Sequence, residues 1–470
     1  MDKIFKFNHK FILSITLVAA LGGLLFGYDW VVIGGAKPFY ERFFGITESP
    51  YLQGLAMSSA LIGCLIGALL SGFLADRFGR KLPLILAATL FLIAAIGTGA
   101  ASSFTLFVVF RLIGGLGIGL ASATSPMYIA EISPAKVRGR LVSLNQLTIV
   151  IGILAAQLIN FLIADYVPND ADDEFIINSW NGQFGWRWMF WVGTLPAFLF
   201  FFLSFFIPES PRYHAKVGNW KATNKTLKRI GGTQYAILEG REIAKTINDS
   251  NAILNWKFYK LKEIRSVLIL GIVLAMFQQW CGINVIFNYA EEIFTTAGYS
   301  INSTLFNVVA TGTVNLIFTL ISIRIIDNWG RRKLMLLGFG GLSVIYLLLG
   351  ISYFNNVKGI SILIWVLIAI AVYAMTLAPV IWVVLSEIFP NSVRGFAMAM
   401  ATTALWIACF LLTYTFPILN NLLGASGTFW LYALICTLGF LFVFKKLPET
   451  KGKTLEELEI TFKNTDDVLV

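Results

Sequence analysis

Apolar stretches about twenty residues long, the length a helix needs to cross the hydrocarbon core of a bilayer, recur from one end of this chain to the other. They cover roughly 11–34, 52–75, 83–101, 104–128, 141–165, 188–207, 265–290, 303–326, 333–353, 360–386, 396–420 and 427–446. With no water in that core, each backbone N–H and C=O must be satisfied within its own segment, so such stretches fold as helices. Mean hydropathy is +0.75 and only 13% of residues are charged, against roughly 25% in an average soluble domain. The sequence thus predicts an all-α polytopic membrane protein with twelve transmembrane helices. A polar stretch over about 208–262 divides them six and six. The expected organisation is an N-terminal six-helix bundle (1–207), a cytoplasmic linker with short helices (208–262), a C-terminal six-helix bundle (263–446) and a cytoplasmic tail (447–470).

The net charge of +10 does not point to nucleic acid, because the basic residues sit in short loops on alternate sides of the spans. Lys3, Lys6 and Lys10 precede the first span, Arg77, Arg80 and Lys81 follow the second, and Lys136, Arg138 and Arg140 follow the fourth. The opposite side carries Asp170, Asp172, Asp173 and Glu174. By the positive-inside rule both termini are cytoplasmic. The first apolar run is too long for a cleavable signal peptide and is expected to stay as span one. Cys64, Cys281, Cys409 and Cys436 all fall inside spans, where a thiol packs as a small apolar group. His9 and His214 lie outside them, so no metal site and no cofactor is indicated.

Three landmarks repeat in order. Asp327-Asn-Trp-Gly-Arg331 follows Asp76-Arg-Phe-Gly-Arg80 by 251 residues. The run from Glu387 to Arg394 follows that from Glu131 to Arg138 by 256, and Pro448-Glu449 follows Pro208-Glu209 by 240. Such repetition predicts two homologous bundles related by an axis along the membrane normal, with a cavity between them. The charged residues of these motifs (Asp76, Arg80, Glu131, Arg138, Glu209, Asp327, Arg331, Glu387, Arg394 and Glu449) gather where helices leave the cytoplasmic side. They can pair across the bundle junction as a gate that biases one arrangement. Alternatively they set topology and bind anionic headgroups.

The motifs closely resemble the sugar porter family of the major facilitator superfamily over essentially the whole chain. Carrying the resemblance are Phe26-Gly-Tyr-Asp29, Asp76 to Arg80, Arg111-Leu-Ile-Gly-Gly115, Met127-Tyr-Ile-Ala-Glu131, Pro208-Glu-Ser-Pro-Arg212, Gln278-Gln-Trp-Cys-Gly-Ile-Asn284 and Pro448 to Glu456. It implies the major facilitator fold and a monosaccharide substrate.

Two ionisable side chains stand well inside the spans: Asp29 in the first and Arg111 in the fourth. A charge at mid-bilayer costs at least about 2.5–3.5 kcal/mol, which makes each a functional candidate. If they pair and a conformational change parts them, Asp29 can take a proton. The competing reading is a permanent bridge that only pins helix one to helix four. The resemblance favours proton coupling.

A sugar needs amides for its hydroxyls and an aromatic plane for its C–H face. Gln278, Gln279 and Asn284 interrupt span seven, Gln146 lies in span five, Asn315 in span eight, and Trp382 and Trp406 in spans ten and eleven. Any one amide could instead be interhelical glue, but adjacent glutamines point about 100° apart and cannot both serve one neighbour. The resemblance assigns sugar contacts to Gln146, Gln278, Gln279, Asn284 and Trp382, with Phe26, Asn315 and Trp406 nearby. The chain departs from the family pattern at Leu405, where relatives carry glutamine or asparagine, at Asn288, where they carry tyrosine, and at Leu377-Ala378.

The expected function is proton symport of a monosaccharide across a bacterial inner membrane by a functional monomer in its lipid bilayer. A proton-independent facilitator is the rival within transport. A sugar sensor is the rival from another class, disfavoured by the short tail after span twelve. No paired carboxylates, activated nucleophile or metal-ligand cluster lies within the spans, so an enzyme is not indicated.

Overall fold

A computed structural model of the chain describes residues 7–134, 137–250, 262–389 and 394–451. Five long helices come first: α1 (His9–Phe43), α2 (Pro50–Phe78), α3 (Lys81–Ala100), α4 (Phe104–Ile132) and α5 (Arg138–Ile163). The sixth crossing, α6 (Asn181–Ser204), opens with a π-helical turn. Two helices fill the linker, α7 (Pro211–Lys216) and α8 (Trp220–Ser250), the second broken at Gly231 and Gly232. Then come α9 (Lys262–Trp280), α10 (Ile283–Asn288), α11 (Ala290–Thr296), α12 (Ile301–Trp329), α13 (Arg331–Phe354), α14 (Ile360–Met375), α15 (Leu377–Ile388) and α16 (Arg394–Lys446). No strand occurs among the described residues.

Local chemistry sets several starts. Asn8, Ser49, Ser103 and Ser300 accept a backbone N–H from the first turns of α1, α2, α4 and α12, satisfying donors that a helix N-terminus leaves orphaned. Eleven helices among the described residues are long and apolar enough to span. The last of these covers 50 residues, about 75 Å at 1.5 Å per residue and too long for one crossing. Gly424, at φ +68°, breaks it, so it crosses twice and the chain makes the twelve crossings that the apolar stretches predicted.

Helices α1 to α6 pack on one another, as do α9 to α16. Small residues let the backbones meet. A Cβ on Gly27 would lie 1.9 Å from the Ile149 carbonyl oxygen, and one on Gly115 the same distance from that of Ala60, so α1 and α4 press directly on α5 and α2. The two groups meet where α2 packs on α16, where α5 packs on α12, and where α1 packs on α10 and α11. The first two contacts exchange under a pseudo-two-fold swap of the halves, as a duplicated architecture requires.

The linker helices lie against the end of the first group. Ile12 of α1 joins Ala215, Leu227, Ile230, Ala236 and Ile243 in a satellite apolar cluster. In the sequence, Ile243, Ile247 and Leu254 among the linker's lysines read as the apolar side of short amphipathic helices, and Lys453 to Leu458 as the start of another; Ile243 packs in that way, whereas Leu254, the side chain of Ile247 and 453–458 lie outside the described residues.

Candidate transport site

The two mid-span charges face each other. Arg111 Nη1 donates to Asp29 Oδ1 at 2.8 Å, and both terminal guanidinium nitrogens approach the Asp29 carbonyl oxygen at 3.4 Å. Arg111 is 2% exposed and its guanidinium lies 5.8 Å from the Phe190 ring centre. The pair is half-satisfied, since Asp29 Oδ2 and Arg111 Nε are buried without a partner. Asp29 also borders a small cavity with Leu25, Tyr28, Val32, Phe91 and Phe190.

Span seven breaks at Cys281-Gly282, where Gly282 adopts φ +85° between α9 and α10. This break brings three of the predicted amides into one directional chain. Asn284 Nδ2 donates to Gln279 Oε1, Gln279 Nε2 donates to Gln278 Oε1 at 2.8 Å, and Gln278 Nε2 donates to Tyr373 Oη at 2.6 Å. Asn284 also reaches Cys409 Sγ at 3.4 Å. Gln278 and Gln279 are buried, not turned toward the outer surface of the bundle. Because each glutamine uses its oxygen and one N–H within the chain, both keep a second N–H for a ligand hydroxyl.

The aromatic component spans the junction. Phe26 and Trp30 of α1 each lie with ring centres 6.0 Å from Trp406 of α16, and 5.7 Å from one another. Trp406 is buried with its indole N–H unpartnered, and Leu405 beside it is buried too. Trp382 on α15 is more open, at 39% exposed, just after the Thr376 break in span ten. Gln146 is half-buried on α5 and Asn315 buried on α12; neither joins the amide chain.

The gate residues form two matching brackets. In the first half Arg80 donates to Glu131 Oε1 through Nε at 3.2 Å and Nη2 at 2.9 Å, its backbone N–H meets Glu209 at 2.9 Å, and Ser210 donates to the other Glu131 oxygen. In the second, Arg331 reaches Glu387 Oε1 at 3.2 and 3.0 Å, its backbone N–H meets Glu449 at 2.8 Å, and Thr450 donates to Glu387 Oε2 at 2.6 Å. Among the described residues, these bonds of both brackets lie within their own half. The reason is local: Gly79 at φ +88° and Gly330 at φ +86° turn the chain so that Glu209 and Glu449 sit where a Cβ would be. Asp76 pairs with Lys216 of the linker at 2.9 Å, and Arg138 donates to the Ala130 carbonyl at 3.1 Å. The side chains of Asp327 and Arg394 lie outside the described residues.

Sequence reasoning passed over Tyr373, Trp30 and Gln157. Gln157 is 1% exposed and donates to Thr311 Oγ1 at 3.3 Å across the α5–α12 contact. Its position eleven residues after Gln146, about three helical turns, puts both on one face of α5 and could have flagged it.

Two helix groups around a common axis, spans seven and ten broken beside buried amides, and a charge pair at mid-span define a secondary transporter of the major facilitator fold. The chain belongs to the sugar transporter family: the family profile described as "Sugar (and other) transporter" matches residues 15–462. It is 39% identical to the D-xylose-proton symporter of Escherichia coli, over 97% of this chain and 96% of that one. To the arabinose-proton symporter of Bacillus subtilis it is 38% identical, over 96% and 94%. Its fold matches the inward-open conformation of the E. coli xylose transporter XylE with a TM-score of 0.83 at 37% identity, covering 96% of this chain and 99% of that one.

Proposed function

We propose that this chain is a proton-coupled symporter of a pentose or hexose, working as a monomer by alternating access in a bacterial inner membrane with both termini cytoplasmic. The observation that carries the reading is the Asp29–Arg111 pair. A half-buried carboxylate at mid-span, bridged through one oxygen and bare at the other, is the least machinery that ties a proton to a conformational change. Gln278, Gln279 and Asn284, with Gln146 and Asn315 on the facing helices, supply hydroxyl partners, and Phe26, Trp382 and Trp406 supply apolar planes for the sugar ring. The relatives named as proton symporters of xylose and arabinose support the substrate class and the coupling.

The packing of α1 against α10 and α11 on the side away from the termini, together with the fold likeness to an inward-open xylose transporter, supports assigning this structure to the inward-facing state of such a cycle. The two charged brackets are the parts that meet when the cytoplasmic side closes, and each rides with its own six-helix bundle, Glu209 and Ser210 at the start of the linker completing the first and Glu449 and Thr450 at the start of the tail completing the second. Uptake of labelled pentoses and hexoses in a transport-deficient host, with and without a protonophore, tests the proposal. Accumulation above the external concentration that collapses with the protonophore is the expected result. Equilibration unaffected by it identifies a facilitator instead.

A further inference from the structure

One buried charge cluster plays no part in the sugar or proton site. Lys37, near the far end of α1, is 4% exposed, and its Nζ lies 3.2 Å from Glu291 Oε2, 3.4 Å from Glu292 Oε2 and 3.5 Å from Glu41 Oε2. The surrounding groups are all accounted for. Asn420 of α16 donates to Glu292, Gln53 of α2 donates to Glu41, Thr295 donates to Glu291, and the Tyr289 ring centre is 5.8 Å from the ammonium. Glu41 is itself 4% exposed, and its Oε1 is buried without a partner. Lys37 and Glu41 belong to the first half, Glu291 and Glu292 to α11 of the second.

We infer that Lys37 clasps Glu291 and Glu292 as the outer gate of the transport cycle, an ion-pair seal formed only while the outer mouth is closed. The inference rests on the alternating-access reading. In that cycle α10 and α11 leave α1 to admit sugar from outside, and the ammonium exchanges two carboxylates for water. An interaction present in one state only biases the equilibrium toward it. The backbone is built to move there: α10 and α11 are short pieces hinged at Gly282 and Tyr289. Their approach is close, since a Cβ on Gly34 of α1 would lie 3.0 Å from the Asn288 carbonyl oxygen.

The charge count fixes the sign of each substitution. Fully ionised, the α1 side carries Lys37 and Glu41 and sums to zero, while the α11 side carries two negative charges. Glu41 therefore weakens attraction across the mouth and Lys37 creates it. Spin labels at Tyr51→Cys and Ile360→Cys, exposed positions on the two halves at the outer face, report its width. The four native cysteines are buried and do not compete for label. In bilayers at mildly alkaline pH without sugar, Lys37→Met should shift the closed-to-open ratio toward the wide distance by about tenfold or more, the order expected when one partner of a buried ion pair is removed. Glu41→Gln should move it the other way. An unchanged distribution in Lys37→Met, or a Glu41→Gln protein that opens as Lys37→Met does, overturns the clasp. Because neither readout involves sugar or proton flux, the clasp can fail while the symport reading stands. Glu41→Gln keeps both Lys37 pairs across the mouth, to Glu291 and Glu292, and decides the matter if Lys37→Met does not fold.

Discussion

At the scale of single residues the site works by leaving bonds unmade. Asp29 uses one oxygen on Arg111 and keeps the other bare. Asp29→Asn should therefore abolish sugar accumulation against a gradient while sugar exchange down a gradient persists, measured by counterflow in proteoliposomes; uphill uptake in this variant removes Asp29 from the coupling. In the proposed site Tyr373 acts on the sugar-binding amides at one remove. Its hydroxyl accepts from Gln278 and so holds one end of the chain that runs through Gln279 to Asn284. In Tyr373→Phe, Gln278 is free to flip its oxygen and nitrogen, at a cost near the 1.4 kcal/mol that equals tenfold in affinity. The expected outcome is a KM raised about tenfold with the maximal rate little changed. A fall in the maximal rate at constant KM would count against this positioning role. Neither Tyr373 nor Trp30 was legible in the sequence. A tyrosine or tryptophan in an apolar span reads as core, and only the folded contact of Gln278 with Tyr373 reveals the partner.

At the scale of elements, apolar length alone yielded all twelve crossings, because hydrocarbon admits so few backbone arrangements. What length could not reveal is where a helix stops being a helix. Spans seven and ten both break beside the amides and Trp382, at Gly282 and Thr376, yet hydropathy runs unbroken through each. Gln278, Gln279 and Asn284 were recognisable as candidates by type and spacing; their linkage depends on the left-handed turn. Gly282→Ala tests that dependence. A side chain at φ +85° is strained, and its Cβ would sit 2.9 Å from the Tyr432 ring, so a stability loss of about 2 kcal/mol is expected, read as a lowered unfolding temperature in detergent. Sugar should protect this variant less than it protects the unaltered protein, since Asn284 is displaced from Gln279. Equal protection would show that the turn serves packing only.

At the scale of the whole molecule the duplicated halves carry duplicated hardware. Arg80, Glu131, Glu209 and Ser210 are matched bond for bond by Arg331, Glu387, Glu449 and Thr450, down to a carbonyl contact of each arginine with the residue five before it, Ala75 at 2.9 Å and Ile326 at 3.2 Å. The repeat was plain from the sequence. Which partners would pair was not, because motif spacing places charges at the cytoplasmic ends of helices without saying whether the nearest acid belongs to the same half. With outer contacts made and brackets closed internally, each half should move as one body, and the brackets should be energetically independent in the inward-facing state. Arg80→Met and Arg331→Met should each destabilise by about 3 kcal/mol, since each leaves a part-buried glutamate unpaired. Their double mutant should then add to within about 0.5 kcal/mol. Conditions that trap the cytoplasmic side shut bring the two brackets together, and there the same cycle should develop a coupling energy above that margin. Additivity in both states would reduce the brackets to pins within each half and remove them from the gate.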